Sequence, residues 1–500
     1  MKSARVFLGM LCAISAGADE YRDAAIKKAT ESVQAATEKA SKDRSRPVYH
    51  FRPPAQWMND PNGTIFHNGY YHVFYQHNPF ADTWGHMHWG HARSKDLVHW
   101  EHLPIALWPS EDKGEAHVFS GCAAINGDGV PMLFYTSVAG GENKRPNEQW
   151  AAVGDADLIK WEKHPKNPIL DVKSIPFEIG PDWRDPFVFK SNNRTFMVLG
   201  ADTKDEAIIP IFEAETPQLD KWSYKGILYR KPKSEQQFFE CPNFFPLDGK
   251  WVLIYSPYKP LQYIVGSFDI DKFAFTPEKE STLDYGSFYA SNIYFGTDGP
   301  RDAKDYRPTV LVGWMRGFKE GLGWNGCMSL PRTLAIGSDG YLRQKPIKGL
   351  EAIKDSSSPR MGKSLDHVTE IATISMSTQV MALRIPSGGS VVVTMTPRTP
   401  GVAPVQYRIR YDGIQVDDIE AKWNDPSNAK SVATTCYIDK TVFELACSTY
   451  TDDAANMSGT LNISKVIEFS PEGYDVRVED FGESVIAHAA FGHMKPIWND

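Results

Sequence analysis

The chain has little cysteine, no basic cluster and no long apolar run after its first residues, and each lack removes a class of protein. Of six cysteines in 500 residues, Cys12 lies in the apolar leader, leaving Cys122, Cys241, Cys327, Cys436 and Cys447. An odd, widely spaced set is neither a disulfide framework nor a zinc site. The one conceivable pair, Cys436 and Cys447, flanks a turn near Asp439-Lys440 that would not set the two opposite each other. The formal charge of -8, without a run of Lys and Arg to grip phosphates, excludes nucleic acid as a partner. No stretch of about 18 apolar residues follows the leader, so no membrane association is expected after its removal.

The leader itself is informative. Met1 to Arg5 is basic, Val6 to Ala16 is apolar, and Ala16-Gly17-Ala18 precedes acidic Asp19-Glu20. This pattern predicts a signal peptide over 1–18 and a secreted or periplasmic protein. Leu11 before Cys12 speaks against a lipid anchor.

Aromatic residues make up 12% of the chain, with 38 Gly and 34 Pro, which favours sheets and turns. Five hundred residues exceed one ordinary core, so at least two domains are expected. Residues 19–46 form a polar N-terminal unit in which Tyr21 to Lys42, free of Gly and Pro, predicts an exposed helix that packs weakly or acts as a spacer. From Pro47 short aromatic and β-branched runs alternate with turns.

A repeat within this region decides the fold class. Strand candidates begin at Tyr71, Pro131, Phe196, Trp251 and Val310, about 55 to 65 residues apart. Asp96-Leu97-Val98-His99-Trp100, Asp157-Leu158-Ile159-Lys160-Trp161 and Gln218-Leu219-Asp220-Lys221-Trp222 put three tryptophans at intervals of 61, and a fainter Asp271-Lys272-Phe273 follows. Units of this length predict an all-β chain with a five-bladed β-propeller over 47–345. A polar linker over 346–367, containing Ser356-Ser357-Ser358-Pro359, leads to alternating strands such as Val391 to Met395 and Thr441 to Leu445. These predict a C-terminal β-sandwich over 368–500.

The repeat also places the chemistry. Trp57-Met58-Asn59-Asp60-Pro61-Asn62-Gly63 reads as a turn that reverses the chain just after Asp60. Eleven residues before Tyr71, Pro131, Phe196 and Trp251 stand Asp60, Ser120, Asp185 and Glu240. Equivalent positions in a propeller surround one axis, so three acids should meet in one funnel, where like charges perturb one another. Such a set suits glycoside hydrolysis, in which one carboxylate attacks and another carries a proton. Asp60, supported by Asn59 and turn amides, suits the first role. Glu240, among Phe238, Phe239 and Cys241, suits the second, because an apolar setting favours its neutral form. If Asp60 attacks directly, the two carboxyl groups should stand about 5 to 5.5 Å apart, with retention of configuration.

A sugar pocket also needs flat faces, for which Trp57, Trp84, Phe119, Trp183 and Trp324 are candidates. Asn59, Gln76, Ser120 and Arg184 could serve hydroxyl groups. His86, His88 and His91 lack acidic or thiol companions at ligand spacing, so neither a metal nor another cofactor is expected. The expected partner is a small neutral carbohydrate; the oligomeric state is left open.

The strings WMNDPNG at 57–63, FYQHNP at 74–79, WGHMHWGHARSKDLVHW at 84–100, FSG at 119–121, WRDP at 183–186, ECP at 240–242 and FYAS at 288–291 resemble glycoside hydrolase family thirty-two. That family includes invertases, inulinases, levanases and fructan exohydrolases. The resemblance implies a propeller followed by a sandwich and retaining cleavage of β-fructofuranosides in sucrose or fructans. It makes Asp60 the nucleophile, Glu240 the acid/base and Asp185 a transition-state stabiliser, with Asn59, Gln76, Trp84, Ser120 and Arg184 on substrate-binding positions. Two departures are Asn243, where many relatives carry aspartate, and Cys122, where serine is common. The alternatives are a fructosyltransferase using the same intermediate and a catalytically silent fructan-binding protein.

Overall fold

The computed structural model describes residues 2–140, 145–297, 303–355, 363–365, 368–374, 379–386, 390–410, 412–425, 430–451, 457–481 and 487–498. Side chains are described from Glu20 onward, except those of 356–389 and 480–492 and a few shorter stretches. The Ser356-Ser357-Ser358-Pro359 stretch of the expected linker lies outside the described residues.

The described residues are all-β apart from the N-terminal helix and short 3-10 turns: a five-bladed propeller followed by a sandwich of two sheets, each with six described strands. The innermost strands are Gln56–His67, Glu115–Ile125, Arg184–Ser191, Glu240–Leu247 and Phe288–Tyr294. The five predicted strand starts fall on the second strand of each blade, and Phe74, Phe134, Met197, Leu253 and Leu311 there are fully or almost fully buried. The ring is closed by Trp324–Asn325, which pairs in parallel with Gln56 and Trp57. Residues from the end of the propeller thereby complete its first blade, which removes an open edge.

The tryptophan repeat has a physical cause. Leu97, Leu158, Leu219 and Phe273 all adopt positive φ, between 54° and 64°. Each turns the chain into an outermost strand. The Trp161 and Trp222 indoles then donate to the carbonyls of Leu158 and Leu219 at 2.9 and 3.1 Å, locking the turn.

A second repeated device faces the axis. Every innermost strand slips register against its neighbour at the equivalent place: between Met58 and Pro61, Val118 and Gly121, Arg184 and Phe187, Glu240 and Asn243, and Tyr289 and Asn292. A bulge frees residues from the ladder and re-aims their side chains. The Trp57-to-Gly63 stretch is therefore a bulged strand and not a chain reversal. Gly63 has φ +54 within it, but the ladder with Tyr70–Asn78 continues past it, overriding the local turn preference of Pro-Asn-Gly. At Gly121 a side chain has no room, since a Cβ would lie 1.9 Å from the Phe134 carbonyl oxygen.

Propeller and sandwich share a buried ionic chain. Arg332 pairs with Asp284 at 2.9 Å and with Glu444 at 2.8 Å, and His50 bridges Glu444 at 3.0 Å to Asp439 at 2.8 Å. Burial alone would depress the His50 pKa; its hydrogen bonds to the two carboxylates outweigh this and hold it at about 9, so the ring is a cation at neutral pH. Cys436 and Cys447 are free, standing opposite Leu445 and Thr434.

The N-terminal helix spans Lys2–Ser41. Its last turns are tied down more firmly than a spacer: Val33, Ala36 and Ala40 pack on Trp324, whose indole donates to Asp43 at 2.7 Å.

Candidate active site

The bulges deliver Asp60, Ser120, Asp185 and the Glu240-Cys241 pair to one end of the axis. Asp60 accepts from Ser120 Oγ at 2.5 Å and Asn59 Nδ2 at 3.0 Å. The Cys241 thiol lies 3.5 Å from Asp60 Oδ2 and 3.6 Å from Asp185 Oδ2, while the Cys241 amide donates to Asp185 at 2.9 Å. Arg184 Nη2 reaches Glu240 Oε1 at 2.8 Å, and the Tyr289 hydroxyl donates to Glu240 Oε2 at 2.6 Å. Three acids separated by up to 180 residues in the chain thus form one connected cluster.

Burial raises the Asp60 pKa; hydrogen bonds from Ser120 and Asn59 oppose the shift and support its anion. Burial also pushes Asp185 up to about 7, against the pull of Arg184 and reinforced by the charges of Glu240 and Asp60. Burial opposes the charge of the Arg184 guanidinium, but the neighbouring Asp185, Asp182 and Glu240 outweigh it and hold the group firmly protonated.

The setting of Glu240 differs from the apolar one expected. Phe239 packs away from it on Tyr229 and Tyr255, and the Phe238 ring lies under the Arg184 guanidinium at 4.2 Å. Glu240 instead has a cation on one oxygen and a phenol on the other. The support expected for Asp60 from turn amides is supplied by side chains, because the strand there is not a turn.

The expected sugar-contacting residues divide. Trp57 stands at the rim, its indole donating to Asn59 at 2.8 Å and its ring edge-on to Trp314. Trp84 is 52% exposed beside His117 and half-buried Phe119. Arg184 also donates to the Tyr258 hydroxyl at 2.5 Å and pairs with Asp182. Gln76 is buried and donates to the Val118 carbonyl at 2.9 Å, bracing two blades. Two candidates lie elsewhere: Trp324 is buried beneath the N-terminal helix, and Trp183 is buried in the core with its indole on the Asn147 carbonyl. Both rings are covered on all sides by protein, so neither offers a face to a ligand.

Cys241, Tyr258 and Tyr289 escaped selection as site residues. Tyr289 occupies in the fifth blade the place that Glu240 takes in the fourth, directly before the register slip, and that alignment would have found it. Tyr258 sits on a loop with φ 60 and has no counterpart in the repeat. Among the described residues no group of His, Cys, Asp and Glu has metal-ligand geometry; His91 is stacked on Phe74 and bonded to His72.

Fold and site together define a five-bladed propeller protein with a triad of acids in its axial funnel. The chain belongs to glycosyl hydrolase family 32, whose N-terminal domain matches residues 50–346. It is 36% identical over 342 residues to a sucrose-6-phosphate hydrolase of Zymomonas mobilis, a match covering 62% of this chain and 63% of that protein. It is 35% identical over 349 residues to a levanase of Bacillus subtilis, covering 62% of this chain and 48% of that one. These matches therefore span less than two thirds of the relatives' length. In fold it is similar to the Bombyx mori β-fructofuranosidase BmSUC1, with a TM-score of 0.78 at 24% identity over 96% of this chain and all of that one. Fructan 1-exohydrolase IIa of Cichorium intybus gives a TM-score of 0.75 at 23% identity, covering 91% of this chain and 98% of that one.

Proposed function

We propose that the protein is a retaining β-fructofuranosidase that removes terminal fructose from sucrose or a fructan. The observation that carries this reading is the single cluster in which Asp60, Asp185 and Glu240 are joined through Cys241 and Arg184. Asp60, its anion held by Ser120 and Asn59, attacks the anomeric carbon of fructose as the bond to the leaving oxygen breaks. Glu240 gives that oxygen its proton, yielding a fructosyl ester on Asp60. Glu240 then takes a proton from water, whose oxygen displaces the ester and frees fructose. Asp185, largely protonated below about pH 7, holds sugar hydroxyls without adding a second negative charge beside Asp60. Trp57, Trp84, Phe119 and Tyr258 at the rim are the surfaces on which a second sugar would rest.

The reading extends to the chain's organisation: a leader over 1–18 removed on export, a catalytic domain over 47–345, a linker over 346–367 and a sandwich over 368–500. The relatives named sucrose-6-phosphate hydrolase and levanase support a fructoside substrate and leave its size open. The test is to supply the purified protein with sucrose, inulin and levan separately and identify the products. Released fructose from any of the three is the expected result. Longer sugars at high sucrose would make it a transferase, and binding without product would make it a silent receptor.

A further inference from the structure

We propose that the end of the propeller axis opposite the acid funnel is a second ligand site, and that it takes an aromatic monocarboxylate. Each innermost strand runs from one end of the axis to the other: the strand that carries Asp60 near its start passes through Thr64-Ile65-Phe66 near its end, and the strand that carries Asp185 passes through Val188-Phe189-Lys190 near its end. Around those far ends lies a cavity of about 660 Å³, to which all five blades contribute. That volume is within the range of about 300–1,000 Å³ typical of sites for small organic ligands.

Between the cavity and the acid cluster the axis holds a void of about 10 Å³, lined by Asn62, Asn243 and Asn292 together with Ser120, Asp185 and Cys241 of the cluster, room for a single water. Asn62 Nδ2 and Asn243 Oδ1 have no protein partner there, one a donor and the other an acceptor, as such a water requires. A ligand at the far end is thus separate from the sugar.

Its chemistry follows from the walls. Phe66, Leu247, Val188 and Phe295 are apolar, and Phe295 is 38% exposed. Arg307 lies over the Phe66 ring at 4.1 Å; its Nε is buried without a hydrogen-bond partner, and no described carboxylate pairs with it. A guanidinium stacked on one face and unpaired at its edge is a receptor for a planar carboxylate. Lys190 Nζ donates one hydrogen to the Ile125 carbonyl at 2.9 Å and keeps two more. The third charged group on the wall, Asp248, accepts from the Ile336 amide at 2.8 Å. Among the described residues of the wall the cations Arg307 and Lys190 face the cavity with one carboxylate, Asp248, a setting that suits a single carboxylate on the ligand. The aromatic and aliphatic walls select a ring system as its body.

Calorimetric titration of the full chain with biphenyl-4-carboxylate tests this, with biphenyl-4-carboxamide as the neutral isostere. One acid is expected to bind per chain, at least tenfold more tightly than the amide. Arg307→Gln and, separately, Lys190→Gln should each weaken the acid at least fivefold, and Asp60→Asn should leave it unchanged. Equal binding of acid and amide, indifference to both cation variants, loss of binding in Asp60→Asn, or no binding at all would each overturn the proposal. Two cation variants guard against a folding defect in one, which circular dichroism would reveal.

Discussion

Replacing Asp185 by asparagine should make the protein more stable at neutral and alkaline pH. Asp185 is 5% exposed and its pKa is raised from 3.8 to about 7. The fold therefore favours the neutral acid more than the unfolded chain does. Its stabilising contribution is fully present below about pH 3.8, falls as pH rises, and is gone once pH passes about 7. A difference of about three pKa units corresponds to about 4 kcal/mol, most of it lost between pH 4 and pH 8. Asparagine imitates the neutral acid at every pH, and its carbonyl can still accept from the Cys241 amide. Urea denaturation of both proteins at pH 4 and pH 8 measures the effect. The variant should gain about 2–4 kcal/mol on the parent between the two conditions while losing nearly all turnover. A stability difference that does not change with pH would show that Asp185 is an ordinary ionised carboxylate and would remove the reason for its burial beside Asp60 and Glu240.

Asp60→Asn should lower turnover by several orders of magnitude with an unchanged circular dichroism spectrum, since a carboxamide cannot attack; near-normal turnover rules out the nucleophile assignment. Tyr289→Phe removes the hydroxyl bound to Glu240 Oε2 and should reduce kcat by about tenfold with little change in KM, as measured by initial rates on sucrose. If KM rises and kcat does not, the phenol binds sugar rather than positioning the acid. Arg332→Met leaves Asp284 and Glu444 buried without their cation and should destabilise the chain by about 3–5 kcal/mol in chemical denaturation. A loss under about 1 kcal/mol would mean that the two carboxylates are neutral there.

Much of this molecule can be read from residue order because its repeat is written in side chains with one job each. The Leu-to-Trp turns need a positive φ and an indole donor, and they recur at a fixed interval. The strand cores are apolar runs, and the acids stand at a constant distance from them. What could not be read depends on neighbours remote in the chain. Pro61-Asn62-Gly63 carries every local mark of a turn, yet pairing with Tyr70–Asn78 keeps it a strand. Glu240 sits between phenylalanines in the chain, but in space its neighbours are Arg184 and Tyr289. Trp183 and Trp324 resemble Trp84 in any list of aromatics and are told apart only by what covers them.

The sequence by itself determined the family, the number of blades and the acids that would meet, because each rests on periodicity and on short motifs whose residues act locally. Only the tertiary structure decided which groups surround those acids, which tryptophans are free to touch a ligand, and that a cavity lies at the other end of the axis. Those properties are set by burial, by electrostatic neighbours and by enclosed volume, quantities that exist only once distant segments have been brought together.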